Sequence, residues 1–285
     1  MIKNKAEIFK NLLAKDEATL LPVVHDCLTA KIAERTGFEA VSAGGFAISG
    51  VNYGLPDVGL IGLAEMVNVL KNIVSSTSLP VFADADGGYG NDRNTAHTVK
   101  QYELAGVASM FLEDQKHPKR CGHMSGKDLI SKDEMTSKIK TAVKVRENPN
   151  FTICARTDAI AVESFDAAID RARAYVAAGA DIIFIEAPEN MPQLREIPKA
   201  INTVPLLVNM LEGGKTPITP KKDLEKMGYK LIAYPLSTLL ASVMASQKVL
   251  NHLKEYGDTL DLISSKRNLA TFSEYKDIVE LGKYI

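Results

Sequence analysis

With 285 residues, 46% of them hydrophobic, the chain can bury a core large enough for one barrel-sized domain or two ordinary ones. Its 34 basic and 35 acidic side chains leave a net charge of −1, too even a balance to favour nucleic acid or an anionic membrane surface, so a small-molecule or protein partner is expected. No apolar run approaches the roughly 20 residues of a membrane span, residues 1–7 are polar, and the cysteines at 27, 121 and 154 lack metal-finger spacing, which together point to a reduced, cytoplasmic protein.

In chain order, β-like apolar runs occupy 20–26, 40–45, 81–86, 110–114, 151–158, 181–186, 205–210 and 230–235, most ending in a polar residue or glycine. Near-continuous apolar runs of this length suit parallel strands covered on both faces. Helical patterns lie between them. Residues 63–76 carry Met66, Val67, Leu70, Ile73 and Val74 on one stripe. Ser131-Lys132-Asp133-Glu134 reads as a capping box ahead of a helix with Met135, Ile139, Ala142 and Val143 inward. The patterns at 166–178 and 222–227 stop at Gly179 and Gly228. Alternation of this kind predicts one closed (β/α)₈ TIM-type barrel over residues 1–285 rather than an open Rossmann sheet. Residues 236–256 and 272–283 read as further helices beyond the barrel, expected to pack on a neighbouring subunit.

Reactive side chains of such a barrel gather where its strands end. The residues there are Asp84 and Asp86, Glu113 and Asp114, Arg156 and Asp158, Glu186, and Asn209. Asp84 and Asp86 stand two apart and face the same way, and paired carboxylates repel unless a cation or a shared proton relieves them. Mg²⁺ or Mn²⁺ answers that need, with Glu113 as a direct or water-mediated third ligand. The plainer alternative makes Asp86-Gly87-Gly88 a turn and Asp84 a helix cap. Arg156 suits capture of a substrate carboxylate or of a developing enolate oxygen, or else an ion pair with Asp158 or Glu186. Glu186 and Asn209 could equally satisfy backbone.

Segment 115–130 has no apolar period and reads as a lid with Gly122 and Gly126 as hinges. Within it Cys121 follows Lys119 and Arg120 and lies near His117 and His123. Neighbouring cations favour thiolate, so this cysteine can exchange a proton near neutral pH; the alternative is a passive surface thiol. Gly44-Gly45 lets backbone N–H groups approach an anionic ligand. Glu212-Gly213-Gly214-Lys215-Thr216 lacks the upstream glycine of a Walker motif. His25 either orients substrate or is structural, His97 and His252 read as surface residues, and Cys27 and Cys154 as small apolar fillers.

From about residue 5 to 275 the chain resembles the isocitrate lyase/phosphoenolpyruvate mutase superfamily. The resemblance is carried, in order, by Leu55-Pro56-Asp57, Asp84-Ala85-Asp86-Gly87-Gly88-Tyr89-Gly90, Leu112-Glu113-Asp114-Gln115, Lys119-Arg120-Cys121-Gly122-His123, Ala155-Arg156-Thr157-Asp158 and Asn209-Met210-Leu211-Glu212-Gly213-Gly214. It implies a barrel whose eighth helix is exchanged between subunits of a homotetramer. It also implies Mg²⁺ near Asp84 and Asp86, with Glu113 close by. Lyases of the family carry the cysteine loop, whereas phosphoenolpyruvate mutases and phosphonopyruvate hydrolases generally do not. The branch it looks most like holds 2-methylisocitrate lyases, 2,3-dimethylmalate lyases and oxaloacetate acetylhydrolases, and carboxyphosphonoenolpyruvate mutase shares the long loop. One departure is at 42–44, where many members of the branch place Ser or Thr at Gly44 and several an aromatic at Ser42.

The strand-end residues and the resemblance together imply a C–C bond lyase acting on a 2-hydroxy di- or tricarboxylate. In that reaction Arg156 and the metal hold the enolate, Cys121 protonates it, and Lys119 and His123 tune the thiol. Asp57 or a metal-bound water starts the reaction. Ser42, Gly44, Gly45, Gly122, Glu186 and Asn209 bind substrate. The alternatives on the same barrel are hydrolysis of oxaloacetate, a phosphonomutase reaction, or an inactive ligand-binding barrel.

Overall fold

The structure is a computed structural model that describes residues 4–122, 124, 126–264 and 269–284. Eight strands form it: β1 Thr19–Val24, β2 Val41–Ala43, β3 Val81–Asp84, β4 Ser109–Glu113, β5 Thr152–Thr157, β6 Ile182–Ile185, β7 Leu206–Asn209 and β8 Leu231–Tyr234. Each pairs in parallel with the next, and β8 closes on β1. Every apolar run read from the sequence is one of these strands. β3, β4, β5 and β6 are buried at every position, which is why they show no polar alternation.

Helices cover the outside. Leu63–Ser76 has the predicted bounds and buries the predicted stripe against the strands. Phe165–Ala177 and Lys221–Met227 end just before Gly179 and Gly228, both in the left-handed region at φ 101° and 111°. Lys132–Val145 starts at Ser131, whose hydroxyl accepts from the Glu134 N–H, but only this half of the expected capping box forms. The Glu134 carboxylate lies 3.7 Å from the Lys138 ammonium one turn on.

A second core fills the barrel. Phe82, Phe111 and Phe184 project inward with Leu21, Cys154, Ile182, Leu207, Leu231 and Ala233, and helix Lys5–Leu13 plugs one end with Phe9 and Leu12. The rings form a column: Phe9 to Phe82 at 5.7 Å, Phe82 to Phe111 at 5.5 Å, and Phe111 edge-on to Phe184 at 6.0 Å between centroids. Helix Ser237–Tyr256 behaves differently from the other long helices, since none of its 20 residues is buried and it exposes Leu240, Met244, Leu250 and Tyr256. Among the described residues, no helix is long and apolar enough to cross a membrane.

Candidate active site

A pocket of roughly 700 Å³, its mouth included, opens where the strands end. Ser42, Gly44, Gly45, Asp57, Asp84, Glu113, Lys119, Cys121, Gly122, Arg156, Glu186 and Asn209 line it, so most of the residues singled out from the sequence converge there. His123 lies outside the described residues. Asp86 faces a neighbouring cavity beneath the lid. His25 does not line the pocket; it is buried with Nδ1 3.2 Å from Asp26, which caps the helix Cys27–Thr36.

The pocket floor is the top of the phenylalanine column. The Arg156 guanidinium lies 5.2 Å from the Phe184 ring centre and 5.9 Å from that of Phe111. Asp158 fixes its direction, accepting from Nε at 2.9 Å and from Nη2 at 3.1 Å. Glu186 stands 3.2 Å from Nη2 and Glu113 3.5 Å from Nη1. Glu186 is itself held, one oxygen accepting from the Ala187 N–H at 2.9 Å and the other from Asn209 Nδ2 at 3.2 Å. The two sequence readings of Arg156 therefore coexist: it is ion-paired, and the pairs aim it into the pocket.

Burial alone would raise the Asp158 carboxyl, but Arg156 and Lys127 overcome that and bring it down to about 2. Glu113 is the opposite case. Its burial pushes the carboxyl well above the usual range, and the charges of Arg156 and Lys119 only partly oppose this. Its Oε1 is buried without a hydrogen-bond partner.

Around the aspartates three details go beyond what spacing gives. First, Lys119, expected to tune the thiol, places its ammonium 2.7 Å from Asp57 and 2.5 Å from Asp86. Second, Gly45, expected to offer its N–H to an anionic ligand, donates it instead to Asp84 Oδ2 at 2.9 Å. A Cβ on Gly45 would sit 3.0 Å from that oxygen, a tight approach that glycine avoids. Third, Asp84, Asp86 and Glu113 form no ready three-ligand cradle, and no cluster of His, Cys, Asp and Glu among the described residues does. The reason is physical: Asp84 Oδ1 also accepts a backbone N–H, that of Asp86 at 2.9 Å, and the lysine ammonium stands among the carboxylates.

The donor chemistry nevertheless suits a hard divalent cation. Burial raises Asp86 to about 6, and the neighbouring charges of Asp84 and Asp57 add to this against the pull of Lys119. Asp57, Asp84, Asp86 and Glu113 thus form an all-oxygen donor group in which Lys119 pairs with Asp57 and Asp86, Arg156 stands beside Glu113, and one oxygen of Glu113 is orphaned. Beneath them the Tyr102 hydroxyl donates to the Asp84 carbonyl at 2.6 Å and fixes the end of β3. Asp114 plays another part than its strand-end position implied. It is fully buried behind the site, accepting from the Asp158 N–H at 3.0 Å, Tyr175 at 2.7 Å and Arg171 at 3.3 Å.

The described residues of the lid segment 115–130 lie over this pocket, with Lys119, Arg120, Cys121 and Gly122 lining it. The neck of the lid is zipped by a Gln115–Leu129 bridge, by Lys116 N–H to Asp128 at 2.8 Å and by Ile130 N–H to Asp114 at 2.9 Å. Two of its residues to which the sequence assigned no individual role, Gln115 and Lys127, are buried. Only their contacts with residues elsewhere in the lid and in β5 mark them out, and spacing carries no trace of those.

The sequence profile of the phosphoenolpyruvate phosphomutase family matches residues 9–254. A 2,3-dimethylmalate lyase of Eubacterium barkeri is 43% identical over 280 residues, covering 98% of this chain and 96% of the relative. A 2-methylisocitrate lyase of Shewanella oneidensis (strain ATCC 700550 / JCM 31522 / CIP 106686 / LMG 19005 / NCIMB 14063 / MR-1) is 39% identical over 267 residues, or 94% of this chain and 91% of the relative. Among solved structures, an oxaloacetate acetylhydrolase in complex with the inhibitor 3,3-difluorooxalacetate superposes with a TM-score of 0.92 at 30% identity, covering 99% of this chain and 95% of the other. Fold, strand-end residues and full-length similarity agree, and the chain belongs to the phosphoenolpyruvate phosphomutase family within the PEP mutase/isocitrate lyase superfamily.

Proposed function

We propose that the protein cleaves a carbon–carbon bond of a 2-hydroxy di- or tricarboxylate of the substituted malate or 2-methylisocitrate type, through an enolate that Cys121 protonates. The observation carrying this reading is the placement of Cys121, Arg156 and the Asp84–Glu113 carboxylates on one pocket under one lid. Arg156, aimed by Asp158 and Glu186 through Nε and Nη2, keeps Nη1 as the donor for an oxyanion and needs no rearrangement as charge develops. Mg²⁺ held by Asp84 and Asp86, with Glu113 nearby, would supply Lewis-acid stabilisation of that oxygen when bound. Asp57 is the candidate for removing the hydroxyl proton, and the Lys119 ammonium holds its carboxylate in place at 2.7 Å. After cleavage the Cys121 S–H gives its proton to the carbanionic carbon, under a lid that keeps water out. Ser42, Gly44, Gly122 and Asn209 frame the substrate. The apolar floor of Phe82, Phe111, Phe184 and Leu207 favours alkyl groups on the reacting carbons.

Assembly is part of the same proposal: the unburied helix Ser237–Tyr256 is exchanged with a second copy in a homotetramer, which would cover its exposed Leu240, Met244 and Leu250. The test of function is a panel of 2-hydroxy and 2-oxo diacids with Mg²⁺, tracking pyruvate by a coupled assay and other products by mass spectrometry. Release of a 2-oxo acid and a second carboxylic acid from an alkyl malate or from 2-methylisocitrate is expected. Oxalate and acetate from oxaloacetate alone would instead make it the acetylhydrolase, and conversion of a phosphonate without fragmentation would make it a mutase.

A further inference from the structure

Cys121 is gripped from both sides. On one side the Gln115 carboxamide accepts from the Arg120 N–H at 2.9 Å and donates to the Arg120 carbonyl at 2.9 Å, a two-bond clamp on the residue before the thiol. On the other side the Lys127 ammonium donates to the Gly122 carbonyl, on the residue after it. Lys127 has a side chain only 1% exposed, and its second partner lies off the lid, at Asp158 Oδ1 2.7 Å away. That same oxygen accepts from Arg156 Nη2. One carboxylate at the end of β5 therefore holds both the lid and the arginine.

We propose that Lys127 is a positioning residue that latches the lid over the pocket and, through Asp158, ties lid closure to the aim of Arg156. A lysine on the lid with a buried charge partner on the barrel lets the lid seat fully only when that ion pair is made. Seating puts the Gly122 carbonyl on the ammonium, and with it the neighbouring thiol at the pocket. A charge-assisted hydrogen bond in a dry site is strong enough to bias such an equilibrium by an order of magnitude. The catalytic meaning of the latch rests on the proposed lyase reading, but the latch itself can be tested without substrate.

The test is the rate of iodoacetamide alkylation at Cys121, resolved by peptide mass spectrometry, with half-buried Cys27 as the internal reference. In Lys127→Met, Cys121 should react about tenfold faster or more while Cys27 is unchanged. Loss of a nearby cation would by itself slow a thiol, so acceleration reports access. The double variant Lys127→Met/Asp158→Asn removes the carboxylate that the single change strands, and it carries the test if the single variant does not fold. The latch predicts the same acceleration there. A return to wild-type protection in the double variant would mean that Lys127 only neutralises Asp158, and the proposal falls. It falls equally if folded Lys127→Met keeps the wild-type rate. Absence of diacid cleavage by the wild-type protein would count against the function and leave these rates standing.

Discussion

Replacing Gly122 by alanine adds one methyl group where the closed lid meets the floor of the pocket. A Cβ built there would stand 2.7 Å from Glu186 Cγ and 2.9 Å from its Cδ, and it would also overlap the Arg156 guanidinium. Neither neighbour can yield cheaply. Arg156 is held by two hydrogen bonds to Asp158, and Glu186 by the Ala187 N–H and Asn209. Overpacking of this kind costs about 1–3 kcal/mol. The strain exists only when the lid is seated, so it acts on closure and not on the barrel. On the proposed function, kcat/KM for the cleaved diacid should fall by about fivefold to roughly 150-fold, with the thermal midpoint unchanged. Steady-state kinetics beside a circular-dichroism melt make the measurement. Wild-type kcat/KM in Gly122→Ala would show that turnover does not need the lid seated as the structure has it.

Three further outcomes are expected. Cys121→Ser should lower turnover by about 10²–10⁴-fold while calorimetric Mg²⁺ binding stays as in the wild type, because the thiol is no part of the aspartate cluster; wild-type rates would remove it as the proton donor. Tyr102→Phe leaves the buried Asp84 carbonyl without its 2.6 Å donor and should cost about 1–3 kcal/mol in urea unfolding; an unchanged midpoint would contradict that role. Asp158, brought down to about 2 from 3.8, contributes of order 2 kcal/mol, fully present above about pH 4 and lost as pH falls through 2. Unfolding of the wild type should therefore weaken with acid more steeply than that of Asp158→Asn, and parallel acid profiles would refute the assignment.

The barrel is legible because both-face burial leaves strands as bare apolar runs and because each run ends in a residue with a reason to be polar. Ile182–Ile185 and then Glu186 is an example: four buried positions, then a carboxylate at the rim. Strand ends also locate Asp84, Glu113 and Arg156, since topology alone sends them to one mouth. What spacing cannot disclose is which partner each charge chooses. Lys119 reads as a neighbour of Cys121 because they are close in the chain, yet its ammonium reaches across to Asp57 and Asp86. Lys127 looks like one more loop cation, and its pairing with Asp158 joins positions 31 residues apart. The Gly45 N–H reads as open to ligand because nothing in Gly44-Gly45 reveals an Asp84 oxygen 39 positions later. Local pattern reports burial and period, whereas electrostatic partnership is settled only when the lid folds down.

The ring column from Phe9 to Phe184 gives the barrel a feature that operates from its underside. The seat under Arg156 is not an independent wall but the last of several rings resting on a cork near the N-terminus. On the proposed function, how deep an alkyl branch can sink is decided partly by a side chain on helix Lys5–Leu13, at the end opposite the chemistry. On that proposal, trimming Phe9 would let the rings above it settle and give bulkier acids headroom, with the footing of Arg156 shifting along with Phe184.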